Sequence, residues 1–247
     1  MDTEYVECPP AGRRVVRART VRLGDVTASG RLRLDALARY LQDVATDDVD
    51  EAGIPGAWVL RRLALRIGDL PRFRDSVELD TFCSGTGGRW AERRTTLRVD
   101  GAARVDAAAL WVYVDEDGKP APLQRWFWDL YGGAANDRRV SGRLRLPPPP
   151  DGAHRREWVM RRADVDVLGH VNNAIAWAAV EDELARDGVF TGSRIGGAEM
   201  EYRAPVDVDD MCELVSIPTG EGVACWLVAG GEVRAAARVV KASEALA

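Results

Sequence analysis

Apolar side chains recur with a helical period between Leu34 and Ala45. Leu34, Leu37, Ala38, Leu41, Val44 and Ala45 fall at i, i+3, i+4 and i+7 spacings. This spacing predicts an amphipathic helix over about 34–52, ended by Gly53. A second helix starts at Asn172 or Asn173, which can cap it. It runs through Ala174, Ile175, Trp177, Ala178 and Val180 to about Asp187, ended by Gly188. Runs rich in Val, Leu, Trp and Thr near 15–22, 58–67, 75–84, 89–99 and 103–115 read as strands. So do those near 157–162, 196–203, 210–217, 222–229 and 232–241. Asp100-Gly101 and Gly230-Gly231 are hairpin turns. One helix followed by antiparallel strands, twice over, is an α+β arrangement.

The two halves repeat in detail. Asp25 falls on Asp164, Val26 on Val165, Gly30 on Gly169 and Leu32 on Val171, all at an offset of 139 residues. Asp75-Ser76-Val77-Glu78-Leu79 echoes Asp210-Met211-Cys212-Glu213-Leu214. The order of these matches implies a duplicated domain. Between the halves, Pro147 to Pro150 form a stiff extended spacer, and Gly132 to Asp137 read as a loop. The expected division is a first half over 1–120, a linker with a short helix and the proline run over 121–153, and a second half over 154–247.

Composition narrows the class. The chain has 247 residues, 46% hydrophobic and 30% charged, with a net charge of −5. That is enough apolar mass for a core and too acidic a balance for nucleic-acid binding by bulk basicity. The longest apolar run, Ala107 to Val114, is far short of the ~18 residues a membrane span needs. No secretory signal opens the chain, so a cytoplasmic location without a membrane partner is expected. Cys8, Cys83, Cys212 and Cys225 form no paired metal motif, and the only histidines are His154 and His170. Neither a metal nor another cofactor is expected.

Candidate chemistry concentrates in Asp164-Val165-Asp166-Val167-Leu168-Gly169-His170-Val171-Asn172-Asn173. No serine-hydrolase elbow or phosphate-binding loop is present. Here two acids, one imidazole and two amides gather at a helix start, where backbone N–H groups and the helix dipole can hold a developing oxyanion. Asp166 could activate water or attack a carbonyl, and His170 could orient the substrate or tune the acid. The bland readings are that Asn172 and Asn173 only cap a helix and Asp164 only makes a turn. The repeat weighs against them. In the first half Asp166 is replaced by Thr27 and His170 by Arg31, while the glycine is kept. The backbone device occurs twice and the acid once, as expected for one active site per pair of halves.

This stretch resembles the hotdog-fold thioesterases, in which Asp-x-x-x-His-Val-Asn-Asn leads into the central helix. Over about residues 13–241 the chain is similar to bacterial members of the acyl-acyl-carrier-protein thioesterase family. Thr27-Ala28-Ser29, Leu41-Gln42-Asp43, Val77 to Thr81, Ser84-Gly85, Trp111-Val112 and Glu201-Tyr202-Arg203 fit that family's pattern. The resemblance implies a double hotdog, each half wrapping an antiparallel sheet around one helix. It implies hydrolysis of a fatty acyl thioester, of acyl carrier protein or CoA, to free acid and thiol. Asp166 would be nucleophile or general base, His170 its support, and N–H groups near Gly169 to Asn172 would polarise the carbonyl. Asn172 or Asn173 would order the site. Leu41, Val44, Ala45 and Trp58 would line the acyl pocket, and two such chains could pair as a homodimer.

The chain departs from the plant pattern at Leu168, where that pattern has Asn, and at Pro205 and Val206, where it has an acid and then Cys. The polar groups those residues supply are expected to be missing. A hotdog hydratase or dehydratase is a competing reading, but its Asp-x-Asn-Pro-x-His pattern is absent. A non-catalytic acyl-thioester binding protein is the other.

Overall fold

The computed structural model describes residues 3–10, 12–54, 56–186, 190 and 194–243. The first half contains β1 (Arg14–Thr20), α1 (Leu34–Ala52), β2 (Ala57–Ile67), β3 (Ser76–Thr86), β4 (Trp90–Val99) and β5 (Ala102–Val114). α2 (Arg125–Ala135) lies in the connection. The second half contains β6 (His154–Trp158), α3 (Asn173–Arg186), β7 (Ile195–Tyr202), β8 (Cys212–Thr219), β9 (Gly222–Ala229) and β10 (Glu232–Lys241).

The described strands form one antiparallel sheet in the order β1-β3-β4-β5-β2-β7-β10-β9-β8-β6. Read from its two edges inward, that order is the same: β1 matches β6, β3 matches β8, β4 matches β9, β5 matches β10 and β2 matches β7. The join is the β2–β7 ladder, where Leu63 faces Met200 and Leu65 faces Ala198. Alternation along the strands sends these residues to the inner face. There they share one hydrophobic core with both helices, including Leu37, Val44, Trp177 and Val180. No helix among the described residues is long and apolar enough to cross a membrane.

Two expectations need correction. Gly132 and Gly133 are not in a loop; they continue α2, which ends only at Asn136 in the left-handed conformation. Each glycine costs a helix up to about 1 kcal/mol. Packing offsets this, because Phe127, Tyr131 and Ala135 join Cys83, Ala91 and Leu123 in a second cluster beneath the first half. The strand expected over 157–162 runs instead over His154–Trp158, where its backbone pairs with Ser216 to Cys212 of β8. Arg162–Asp164 forms a 3-10 turn. Asp187 and Gly188, where the sequence predicts the end of α3, lie outside the described residues.

The connection crosses the outer face of the sheet and is fastened there. Trp90 Nε1 donates to Val140 O at 2.9 Å and Trp226 Nε1 to Pro147 O at 2.8 Å. Glu201, fully buried on β7, accepts the backbone N–H groups of Arg145 and Leu146 and pairs with Arg203. A carboxylate at that depth is tolerated because it is hydrogen-bonded on both oxygens. Glu201→Ala is expected to lower stability by about 3 kcal/mol. Urea unfolding with an unchanged m-value measures this; a loss under ~0.5 kcal/mol would show that the strap is not held by this side chain.

Candidate active site

The loop before α3 and the loop before α1 are the same device, hydrogen bond for hydrogen bond. Asp164 Oδ2 accepts Arg161 N–H at 2.9 Å, and Asp25 Oδ2 accepts Arg22 N–H at 2.9 Å. Asp166 N–H donates to His170 O at 3.0 Å, as Thr27 does to Arg31 O at 2.8 Å. Asn172 N–H donates to Asp164 O, and Arg33 N–H to Asp25 O, both at 2.9 Å. Gly169 and Gly30 sit at φ +83° and +80°, where a side chain is strained. The glycines thus serve a turn that both halves need.

The side chains differ between the loops. Asp166 Oδ1 accepts Leu168 N–H at 2.9 Å, and Oδ2 accepts Asn172 Nδ2 at 3.1 Å. Asn172 Oδ1 accepts Ala174 N–H at 3.0 Å. Asn172 therefore caps α3 and aims the Asp166 carboxylate at once, and facing a carboxylate and an N–H fixes which end of its amide points where. The His170 ring makes no hydrogen bond to the Asp166 carboxylate. Its Nδ1 lies 2.9 Å from Asp207 Oδ1, both groups exposed. Pro205 and Val206 carry no acid, and Asp207, next along the loop after β7, supplies one to His170. An acid one residue beyond the pattern was the available signal.

The N–H groups expected to polarise a carbonyl are mostly engaged. Gly169 donates to Asp166 O, Val171 to Val206 O and Asn172 to Asp164 O. Asn173 N–H, at the head of α3, has no partner among the described residues. The Asn173 carbonyl accepts Tyr202 OH at 3.3 Å, and that hydroxyl also accepts Trp177 Nε1 at 2.9 Å. This ties the head of the helix to β7.

Leu168 stands at the edge of a cavity of about 430 Å³ that runs under the first half. Its walls include Ala45 and Val49 of α1, Trp58 of β2, Trp111 of β5, and Phe127 and Tyr131 of α2. The rings interlock, with Phe127 centred 5.8 Å from Trp58 and 5.1 Å from Tyr131. Ala45 and Trp58 thus line this cavity. Leu41 lines a void of about 20 Å³ beside it, with Asn173 and Trp111. Val44 is fully buried in the shared core and lines neither. Sequence reasoning missed Phe127 and Tyr131, because α2 was assigned to the linker. Cys83, also in the wall, is no nucleophile, since burial pushes its thiol up to about 11.

A cavity in the mirror position faces the first-half loop. It carries more charge than the other: Thr27, Ser29, Arg31, Arg33, Glu181 and Asp182 stand in its walls beside Trp158, Ile175 and Leu184. Arg31 spans it to Glu181 in a bidentate ion pair of 2.9 and 2.8 Å.

One loop with a carboxylate, facing an apolar cavity built by the other half, suits hydrolysis of an ester of a long apolar acid. Family comparison agrees. Residues 14–122 match the acyl-ACP thioesterase N-terminal domain, and residues 149–232 match the acyl-ACP thioesterase C-terminal domain. The chain belongs to the acyl-ACP thioesterase family. An uncharacterised protein of Mycobacterium tuberculosis is 25% identical over 241 residues, 96% of each chain. The fold is that of the 12:0-ACP thioesterase from Umbellularia californica, at 21% identity and TM-score 0.80, covering 93% of this chain and 97% of that one. An acyl-ACP thioesterase from Bacteroides thetaiotaomicron matches at 19% identity and TM-score 0.76, over 93% and 98%. The double-hotdog architecture and the hydrolysis of fatty acyl thioesters stand on this membership.

The thioesterase cavity rests on a buried polar floor. Asp48 of α1 receives Arg13 Nε at 2.8 Å, Arg93 Nη2 at 2.6 Å and Tyr131 OH at 2.8 Å. Burial would raise its carboxyl, but the Arg93 charge and these three donors outweigh that and hold it below its ordinary value. A depressed folded-state value stabilises the fold above the unfolded value and loses that contribution as pH falls. Asp48→Asn is therefore expected to cost about 3 kcal/mol at pH 7. The deficit should shrink as pH falls below about 4, the ordinary Asp value. Thermal melts of both proteins from pH 7 to 3 measure this; a pH-independent gap would contradict it.

Proposed function

We propose that the single active site of this thioesterase is the Asp166 loop, and that the acyl chain lies in the cavity under the first half. The observation that carries this is the placement of Leu168 in the wall of that cavity, two residues from Asp166 and beside its hydrogen-bonded carboxylate. Asp166 attacks the thioester carbonyl, or takes a proton from the water that does. Asn172 is the positioning residue that holds it. Asn173 N–H, at the positive end of α3, polarises the carbonyl oxygen. Gly169 contributes the turn rather than a donor, and His170, held by Asp207, borders the site from outside. Thr27 in the mirror loop has no carboxylate, so that loop is inactive.

The substrate is a fatty acyl thioester of acyl carrier protein or CoA, and no cofactor takes part. The protein works in the cytoplasm, in fatty acid biosynthesis, with a first half that walls the pocket and a second half that reacts. Pairing of two such chains into a homodimer is compatible with it.

Release of free thiol from acyl-ACP and acyl-CoA panels tests the reading. Asp166→Asn is expected to fold normally and lose at least ~10²-fold in turnover. Near-wild-type release would remove Asp166 from the mechanism. Hydration of an enoyl thioester without thiol release would make the protein a hydratase, and binding without turnover would make it a non-catalytic acyl-thioester binding protein. Ala45→Phe should fill the cavity and lower kcat/KM for the longest accepted chain by ~10-fold or more, sparing short chains. An unchanged chain-length profile would place the acyl group elsewhere.

A further inference from the structure

The pseudo-twofold relation pairs residues across the two sites, and it brings Gln42 into the Asp166 site. α1 begins at Leu34 and α3 at Asn173, equivalent positions of the repeat, so the same turn carries Gln42 in α1 and Glu181 in α3. Glu181 is buried and reaches across to the first half. Its Oε1 accepts Leu34 N–H at 2.7 Å, and its carboxylate accepts Arg31. In the mirror site, Leu34 becomes Asn173 and Arg31 becomes His170. Gln42 accordingly faces the Asp166 loop from the opposite half. It lines the 430 Å³ cavity together with Leu168, and the small void together with Asn173 and Ala174.

In the first half, then, a negatively charged oxygen from the protein itself is bound at the head of a helix, between its first N–H and a cation. That is the environment an oxyanion requires. The equivalent point in the second half meets a neutral amide. Neither the Gln42 side chain nor Asn173 N–H has a hydrogen-bond partner among the described residues. A carboxylate at position 42 would take Asn173 N–H for itself and repel a developing negative charge. An amide leaves that N–H free and adds a second donor.

We propose that Gln42 is a catalytic residue supplied by the first half: its Nε2 donates to the thioester carbonyl oxygen, alongside Asn173 N–H, as that oxygen gains charge. The proposal rests on the thioesterase reading of the Asp166 site. The donors bind the oxygen most tightly in the transition state, so their loss falls on kcat.

Steady-state kinetics of the full chain on its preferred acyl thioester test this with three variants. Gln42→Ala, and Gln42→Met, which keeps the volume without the donor, are expected to lose ~10²-fold in kcat. KM should stay within about threefold, and circular dichroism should be unchanged. Gln42→Glu should lose at least as much, because its carboxylate would take Asn173 N–H, as Glu181 takes Leu34 N–H, and repel the developing charge. The proposal is overturned if the Met variant keeps wild-type kcat, or if its loss lies wholly in KM. It is also overturned if the Glu variant stays active. A wild-type chain inert to every thioester sinks both readings. An active wild type with a dead Asp166→Asn variant and an unaffected Met variant sinks this one alone.

Discussion

The β2–β7 ladder is the constraint on which the rest of the molecule depends. Strands from the two halves meet there in register, Leu63 on Met200 and Leu65 on Ala198. Each half by itself would present an apolar-faced sheet with an unpaired edge. Joining them puts α1 and α3 side by side and antiparallel, so the head of each helix lies against the middle of the other. The contact of Leu34 with Glu181 and the void shared by Gln42 and Asn173 are two consequences. Each loop therefore borders a cavity to which the opposite half contributes walls.

With that geometry set, chemistry is divided by side chains alone. Both loops keep the glycine turn and the backbone bonds that hold it. In the first half, the carboxylate that faces the loop comes from across the interface and is neutralised by Arg31, which gives a structural ion pair. In the second, the carboxylate belongs to the loop itself and is held by the Asn172 amide and Leu168 N–H. A partly buried pair such as Arg31–Glu181 contributes modest net stability, because desolvation offsets much of the attraction. Its larger effect is to fill the mirror cavity with charge, which makes it a poor receptacle for a hydrocarbon chain.

Much of this architecture was legible in the residues. The period of Leu34 to Ala45, the Gly53 end and the paired turns at Asp100-Gly101 report local physics, and the structure follows them closely. The duplication was legible because turn residues tolerate few replacements, so Asp25/Asp164 and Gly30/Gly169 stayed aligned. Asp166 stood out because it had no counterpart in the other half. What could not be read was distance. Nothing local to Phe127 and Tyr131 says that they reach beneath β3. The two glycines after Tyr131 argue against the helix that carries them there. The link between His170 and Asp207 spans 37 residues and two loops. Gln42 depends on a helix pairing that exists only after the sheet has closed.

The covalent connection across the back of the sheet has a further consequence. In a symmetric dimer of identical chains, any codon change alters both sites together, and position 42 could not be glutamine in one and glutamate in the other. Fastened by Glu201, Trp90 and Trp226, the strap makes one gene encode two unequal partners that always meet each other. Selection can then adjust the receptacle for the chain and the reacting loop separately. α2 belongs to the strap and also walls the cavity, so on the proposed reading insertions and substitutions there retune the accepted molecule without touching the Asp166 loop.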